Sequence, residues 1–177
     1  QRDDWYTMAR AAEDLEPVEQ VGRQAGARCA RRLGARKIAT TECPVLLEAP
    51  IETPDLILRS LDASFACGPY AIWMRDPVVT RHLEVRFAPP DEAALAAYID
   101  RMNASAGDLL LGLFLRAEPE RHIGNIKLGP INRHHLAAPI GIAIGATEFW
   151  GKGLATQAVS ALADHAFVAL GLERLEA

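Results

Sequence analysis

One run constrains this chain more than any other: Glu148-Phe149-Trp150-Gly151-Lys152-Gly153-Leu154-Ala155-Thr156. Before it lies Ile140-Gly141-Ile142-Ala143-Ile144-Gly145, short, β-branched and ended by glycine, which reads as a buried strand. After it, Ala158, Val159, Leu162, Ala163, Ala166 and Leu170 recur at helical spacing until Gly171 stops the run. A strand, a glycine-rich turn and a helix start together make an anion-binding device. The first-turn N–H groups of the helix have no partner in the helix itself, and the helix dipole adds partial positive charge there. Gly151 and Gly153 carry no Cβ, so a phosphate can come close to the backbone. The fold must therefore hold a strand and a helix end to end with a phosphate-sized gap between them.

Several phosphate loops share a Gly-x-Gly. A Walker loop ends in Gly-Lys-Ser/Thr, but Lys152 is followed by Gly153. The dinucleotide fingerprint needs a third glycine where this chain has Thr156, with an acidic residue about 20 positions later in an early βαβ unit. Here the motif lies near the end of the chain, with Glu173 and Glu176 at that distance. The remaining form, Arg/Gln-x-x-Gly-x-Gly/Ala, fits Trp150-Gly151-Lys152-Gly153-Leu154-Ala155, with Gly153 and Ala155 in the two small positions.

That last form is the acyl-CoA pyrophosphate loop of the GNAT-superfamily N-acetyltransferases, and residues 51–177 resemble the RimJ/RimL branch of that superfamily. Glu52-Thr53-Pro54-Asp55-Leu56-Ile57-Leu58-Arg59 is similar to the branch's first strand. His122-Ile123-Gly124-Asn125-Ile126-Lys127-Leu128 is similar to its third strand, and 140–145 to its fourth. The aromatic Trp150 departs from the superfamily's Arg/Gln but matches this branch. The resemblance implies an acetyl-CoA-dependent N-acetyltransferase acting on a primary amine, above all a protein N-terminus, by direct attack on the thioester. A small amine of the aminoglycoside or polyamine kind is the other acceptor. It further implies that pantetheine lies along the fourth strand, hydrogen-bonded to the backbone of Ile142, Ala143 and Ile144, with the pyrophosphate on Trp150, Gly151, Lys152, Gly153, Leu154, Ala155 and Thr156. The second reading, from a different class, is a non-catalytic acyl-CoA-binding or interaction module. Read without the resemblance, Gly141, Ala143 and Gly145 could instead simply permit close helix packing.

With 177 residues and 50% hydrophobic content, one domain with a sizeable core is expected. A net charge of −4 exerts no global pull on nucleic acid or an anionic membrane. No apolar run approaches the roughly 20 residues of a membrane span, and the first ten residues are polar and charged rather than a secretory signal. Cys29, Cys43 and Cys67 are widely spaced, without a Cys-x-x-Cys pair, and read as reduced thiols. The expectation is a cytoplasmic protein without a metal.

Residues 1–50 differ from the rest. Eight basic and eight acidic residues cancel there, so the whole net charge lies in 51–177. Residues 18–33 read as a helix weakened by Gly22 and Gly26, at about 1 kcal/mol each. Pro44-Val45-Leu46-Leu47 reads as a short strand. This stretch resembles an internal part of the TldD/PmbA proteins through Gln1-Arg2-Asp3-Asp4-Trp5-Tyr6-Thr7, Val21-Gly22-Arg23, Arg32-Leu33-Gly34-Ala35-Arg36-Lys37 and Pro44-Val45-Leu46. The chain thus reads as a composite joined near Pro50, whose first part is of different origin. The family's peptidase motif His-Glu-x-x-x-His is absent, so no activity carries over. Arg23, Arg28, Arg31, Arg32, Arg36 and Lys37 form a basic run that reads as a solvated helix face rather than a nucleic-acid site.

The order expected for residues 51–177 is β-α-α-α-β-β-β-α-(β), an α+β fold with a mixed, mainly antiparallel sheet flanked by helices. Leu56-Ile57-Leu58 gives the first strand, and helices follow over 63–74 and 77–82. Pro89-Pro90-Asp91-Glu92 opens a third helix with Leu95, Tyr98, Ile99 and Met102 on one face. Strands are expected at 109–115, 123–128 and 140–145. The chain starts at Gln1 and stops at Leu175-Glu176-Ala177, where a strand begins; three residues are expected not to complete a sheet, leaving an open edge where a homodimer could form.

For catalysis, the fourth strand holds no Asp, Glu or His. Glu148 is the nearest carboxylate and the weak candidate for a base, with a helix-start cap as its plainer role. His134-His135 reads as a polar loop rather than a metal site, and His165 as a packed or solvated helix residue. The resemblance places the thiolate's acid beyond Ala177.

Overall fold

The computed structural model describes Pro44, Val45, Leu47 and residues 49–177. The strands form where the apolar residues lie. They are β1 (Ile51–Glu52), β2 (Leu56–Ser60), β3 (Leu109–Leu115), β4 (His122–Leu128), β5 (Ala137–Ile144) and β6 (Arg174–Glu176), side by side in chain order. Every neighbouring pair is antiparallel except β5–β6, which is parallel. Nearly all of β3 and the whole of β4 are buried on consecutive residues. Consecutive residues point to opposite faces, so the sheet is covered on both. Leu56, Leu58, Leu111, Leu113, Phe114, Ile123, Ile126 and Leu128 are fully buried in it, each contributing about 1.5–3 kcal/mol relative to exposure. The expected mixed, mainly antiparallel α+β sheet is the one that forms.

The helices follow their caps. Asp91 accepts from Ala94 N–H at 2.7 Å and starts α3 (Glu92–Ala104), which buries the expected Leu95, Tyr98, Ile99 and Met102. The helix expected over 63–74 is instead two pieces, a 3-10 turn over Ala63–Cys67 and α1 (Pro69–Arg75). Gly68, between them, has φ −138° and ψ −148°, because a residue preceding proline is driven out of the helical region while Pro69 suits a first helical turn. Asp76 then accepts from Val78 N–H at 2.8 Å and starts α2 (Pro77–Thr80), two residues shorter than the span expected. Finally α4 (Leu154–Val168) sets Leu154, Ala158, Leu162 and Ala166 on one buried stripe. It packs against β1, β2, β4 and β5, whereas α1 packs on β4 and α3 on β3.

A short strand, Arg174–Glu176, joins the sheet one residue earlier than the sequence suggested. β6 pairs with β5 through Ala137–Arg174, Ala138–Leu175 and Pro139–Glu176. The crossover that a parallel pair requires is already present as α4, and Glu173 N–H adds a bond to the Leu136 carbonyl at 2.6 Å. The pairing ends at Pro139, so the β5 edge from Ile140 to Ile144 has no partner strand among the described residues.

At the other end, Val45 and Leu47 pack against the core, and Val45 N–H donates to the Ser105 carbonyl at 3.0 Å. Pro44, Val45 and Leu47 are not in a strand, which corrects the strand expected over 44–47: the segment's bond goes to a helix cap, not to a sheet edge. The helix expected over 18–33, the basic run from Arg23 to Lys37, Cys29 and Cys43 lie outside the described residues. Cys67 is exposed with a free thiol.

Candidate functional site

The unpartnered part of β5 has a definite polarity. Gly129 N–H donates to the Pro139 carbonyl at 2.9 Å, and in an antiparallel ladder the residues facing the partner strand alternate. The register Lys127–Gly141 and Asn125–Ala143 therefore turns the backbone of Gly141 and Ala143 toward β4. The backbone groups of Ile140, Ile142 and Ile144 face the open edge. Of the three residues expected to hold pantetheine through their backbone, Ile142 presents its N–H and carbonyl to the open edge and Ile144 its N–H, whereas the Ala143 backbone is turned to β4 and offers only a small side chain.

Past β5 the chain turns sharply. Gly145 and Ala146 N–H both donate to the Ile123 carbonyl, at 2.9 and 3.1 Å. Trp73 of α1 lies directly on Gly145, where a Cβ would fall 1.9 Å from the indole. A 3-10 turn over Thr147–Phe149 follows, and Trp150 Nε1–H donates back to the Ile144 carbonyl at 2.8 Å. Gly151 and Gly153 adopt φ of +72° and +76°, and a Cβ at either would meet nothing within 4 Å. So glycine is demanded here by the backbone conformation, and the space beside it is left open.

Gly153 stands at the helix cap with no side-chain cap bond, and the first helical bond runs from Gln157 N–H to the Gly153 carbonyl at 3.1 Å. The N–H groups of Leu154, Ala155 and Thr156 are thus left to an outside acceptor. Gln157 fixes this end of α4: its Oε1 accepts from Thr53 Oγ1 at 3.1 Å and its Nε2 donates to Asp55 at 2.7 Å.

All ten residues expected to hold acyl-CoA, Ile142, Ala143, Ile144 and 150–156, line one groove of about 470 Å³. Its other wall is Val78, Val79, Arg81, His82 and Leu83, on and just after α2. The sequence reading missed that wall. Asp76-Pro77 marks a helix start, but nothing in the local pattern says which strand edge the helix will face. Arg81 and Lys152 bring positive charge to a groove whose floor is a helix N-terminus.

Glu148 lies in the 3-10 turn, exposed, with its carboxylate 2.8 Å from the Arg121 guanidinium. Its own backbone N–H and then Arg121 hold its carboxyl below the usual carboxylate range, which makes it a weaker proton acceptor. Lys152 and Arg121 both approach the Phe149 ring, at 4.8 and 5.4 Å from its centre. His134 and His135 give their N–H groups to Asn132 Oδ1 and form a turn. Among the described residues no group of three or more His, Cys, Asp or Glu could hold a metal. Burial pushes the half-buried His165 down from its ordinary value. No helix among the described residues is long and apolar enough to cross a membrane.

A second cavity of about 110 Å³ adjoins the groove and shares Leu83, Ile142 and Ala143 with it. Met74 and Leu110 form its apolar wall, Tyr70 lines it from α1, and Asn125 and Lys127 bring polar groups to it from β4. Lys127 Nζ is 3.0 Å from Asp108, whose other oxygen accepts from Ser105 Oγ at 2.7 Å. His122 Nε2 lies 2.9 Å from both the Gly124 carbonyl and Asn125 Oδ1, and its Nδ1 has no hydrogen-bond partner. Phe65, Tyr70, Trp73 and Phe114 surround that ring. These polar residues also escaped the sequence reading. The available signal was Asn125 and Lys127 inside a strand whose neighbours are all apolar or glycine, since buried polar groups need partners.

A family model described as an acetyltransferase (GNAT) domain matches residues 55–177. The chain is 28% identical over 127 residues to the protein named uncharacterized N-acetyltransferase p20 of Bacillus licheniformis, covering 71% of this chain and 70% of that one. Among solved structures, an acetyltransferase of the GNAT family from Bacillus anthracis superposes with a TM-score of 0.60 at 17% identity, covering 71% of this chain and 70% of the other. The spermidine N-acetyltransferase of Vibrio cholerae, solved with CoA and spermine, superposes with a TM-score of 0.59 at 20% identity over 70% of each chain. At these identities the likeness to the two structures is one of fold.

Proposed function

The chain belongs to the acetyltransferase (GNAT) family, and on that premise we propose that it moves the acetyl group of acetyl-CoA to a primary amine, with a protein N-terminus as the acceptor. One observation carries this reading: the open edge of β5, the glycine turn and the uncapped start of α4 line a single groove. The pyrophosphate sits on the N–H groups of Leu154, Ala155 and Thr156, with Lys152 beside it. Pantetheine runs back along β5 against the outward backbone of Ile144 and Ile142, which brings the thioester to the junction of the groove and the smaller cavity. The choice of a protein N-terminus follows the resemblance to the RimJ/RimL branch.

In that position a neutral amine attacks the thioester carbonyl, the C–S bond breaks, and CoA leaves as its thiolate. The Ile142 N–H, free at the open edge, is the donor placed to meet the developing oxyanion. Because Glu148 is held by Arg121 and its carboxyl is lowered, we assign it to fixing the turn, and the amine proton to solvent in the groove.

Calorimetric titration with acetyl-CoA, with dephospho-CoA as the comparison, tests the groove. Binding is expected for the wild type and lost in Gly151→Glu and Gly153→Glu, which place a carboxylate and a strained side chain where the phosphates lie. If both folded variants bound acetyl-CoA like the wild type, the assignment of the loop would be wrong. Thiol release on adding an amine panel separates transfer from mere acyl-CoA binding.

A further inference from the structure

We infer that the smaller cavity reads a carbonyl group on the acceptor, so that the favoured acceptors are amines whose neighbouring carbon bears a carbonyl or carboxylate, and polyamines are disfavoured. This rests on the acetyl-transfer reading and adds the acceptor's chemistry to it. The cavity meets the groove at Ile142 and Ala143, beside the place assigned to the thioester. Its volume of about 110 Å³ matches roughly three or four water-sized groups. That admits an amine, its carbon and one carbonyl.

The polarity follows from a chain of hydrogen bonds. A backbone carbonyl can only accept, so the bond to the Gly124 carbonyl puts the proton on His122 Nε2. The same N–H then makes the Asn125 atom facing it an acceptor, its Oδ1. With Oδ1 held by His122, the NH₂ is the group of the Asn125 side chain left to serve the cavity it lines. Tyr70 also lines the cavity, and its phenol can donate as well as accept. Lys127 is the other polar lining residue, a donor whose charge Asp108 offsets. Among the described residues lining this cavity none is a carboxylate. The Asn125 NH₂ and the Lys127 ammonium only donate, so they want an acceptor, which a carbonyl oxygen supplies. A polyamine brings more N–H donors and positive charge, and the described lining holds no carboxylate to offset that charge.

The test uses the full chain with alaninamide, isopropylamine and spermidine, the second being nearly the first without its carbonyl. Alanine and an alanyl peptide then separate a carboxylate from a peptide carbonyl. Wild-type kcat/KM, expressed per neutral amine because the carbonyl also lowers amine basicity, is expected to favour alaninamide over isopropylamine by about tenfold or more, the worth of a hydrogen bond to a buried donor. Asn125→Asp keeps an oxygen for His122 and turns another oxygen to the cavity in place of NH₂. It is expected to erase that preference and raise the rate with spermidine. Equal rates for the first two amines, or a preference that Asn125→Asp leaves unmoved, would overturn the inference. A second readout needs no turnover: the Asn125 side-chain amide resonances should shift when alaninamide, but not isopropylamine, is added to the protein with CoA. The same response to both amines, or none to alaninamide, would also overturn it. Failure of the acetyl-transfer reading looks different, as loss of acetyl-CoA binding or absence of thiol release with every amine.

Discussion

The indole N–H of Trp150 donates to the carbonyl of Ile144 at 2.8 Å, joining the phosphate turn to the end of the strand that precedes it. Ile144 is the last residue of β5, and its carbonyl faces the open edge, where it would otherwise lack a partner in the sheet. The bond therefore satisfies a strand end and sets the distance from β5 to the first turn of α4. Trp150→Phe keeps most of the ring and deletes this one bond, worth about 0.5–1.5 kcal/mol. Acetyl-CoA affinity measured by calorimetry should fall about threefold to tenfold, with only a small drop in melting temperature. An unchanged affinity would mean that the turn is held by other contacts.

Gly153 separates two demands that glycine meets at once, a left-handed backbone and open space. A side chain with a Cβ at its φ of +76° costs about 1–2 kcal/mol. Asn tolerates that conformation better than Ala does. Gly153→Asn should therefore keep the fold near wild-type stability, and Gly153→Ala should lose about 1 kcal/mol. Gly153→Glu should abolish acetyl-CoA binding through charge as well. Thermal unfolding and calorimetry on the three variants give the two effects separately; equal stability of Ala and Asn would remove the conformational part.

The contrast between loop and wall shows how far local chemistry reaches. The loop was legible because its residues are neighbours in the chain: Gly151, Gly153 and the start of α4 are contiguous, and all ten expected residues do line one groove. The α3 stripe of Leu95, Tyr98, Ile99 and Met102 was legible for the same reason, a period within one element. Arg81, His82 and Leu83 are groove residues because the end of α2 lies across from β5 and the glycine turn, a juxtaposition of distant segments. Asn125 and Lys127 face a cavity because of the register of β4 against β5, a contact between distant segments that no local period encodes. Arg174, Leu175 and Glu176 could pair in parallel because β5 extends back to Ala137, three residues before the strand expected from its apolar run.

Gly145 is a packing glycine rather than a turn glycine. Adding a methyl there places it 1.9 Å from the Trp73 indole, and overpacking of this kind costs typically about 1–3 kcal/mol. Gly145→Ala should lower the denaturant midpoint by that much, and Trp73→Leu in the same chain should recover part of it. Strict additivity of the two changes would show that the two residues do not share this contact.

Lys127 and Asp108 form a pair in which each side chain is mostly buried. Removing one partner leaves the other charge in the interior, at about 3–5 kcal/mol. Asp108→Ala should therefore destabilise strongly in urea unfolding. Arg59–Glu120, a pair with one side chain 91% exposed, gives the comparison: Glu120→Ala should cost less than about 1 kcal/mol. Similar losses for both would contradict the contrast in burial.

His122 makes stability depend on pH in one direction. Burial chiefly lowers its basicity in the folded protein, below the ordinary value of 6.5, because the ring is enclosed by aromatic side chains and its Nδ1 has no hydrogen-bond partner. The unfolded chain then binds the proton more readily, so stability is fully present above about 6.5 and is lost as pH falls toward the folded value. Urea midpoints taken between about pH 7.5 and about pH 5.5 should decline in the wild type. His122→Gln retains an N–H donor for the Gly124 carbonyl without a titrating ring, so its decline over the same range should be shallower. Parallel declines in the two proteins would assign the pH dependence to other groups, and would leave the neutral Nε2–H form of His122, on which the orientation of Asn125 depends, without this support.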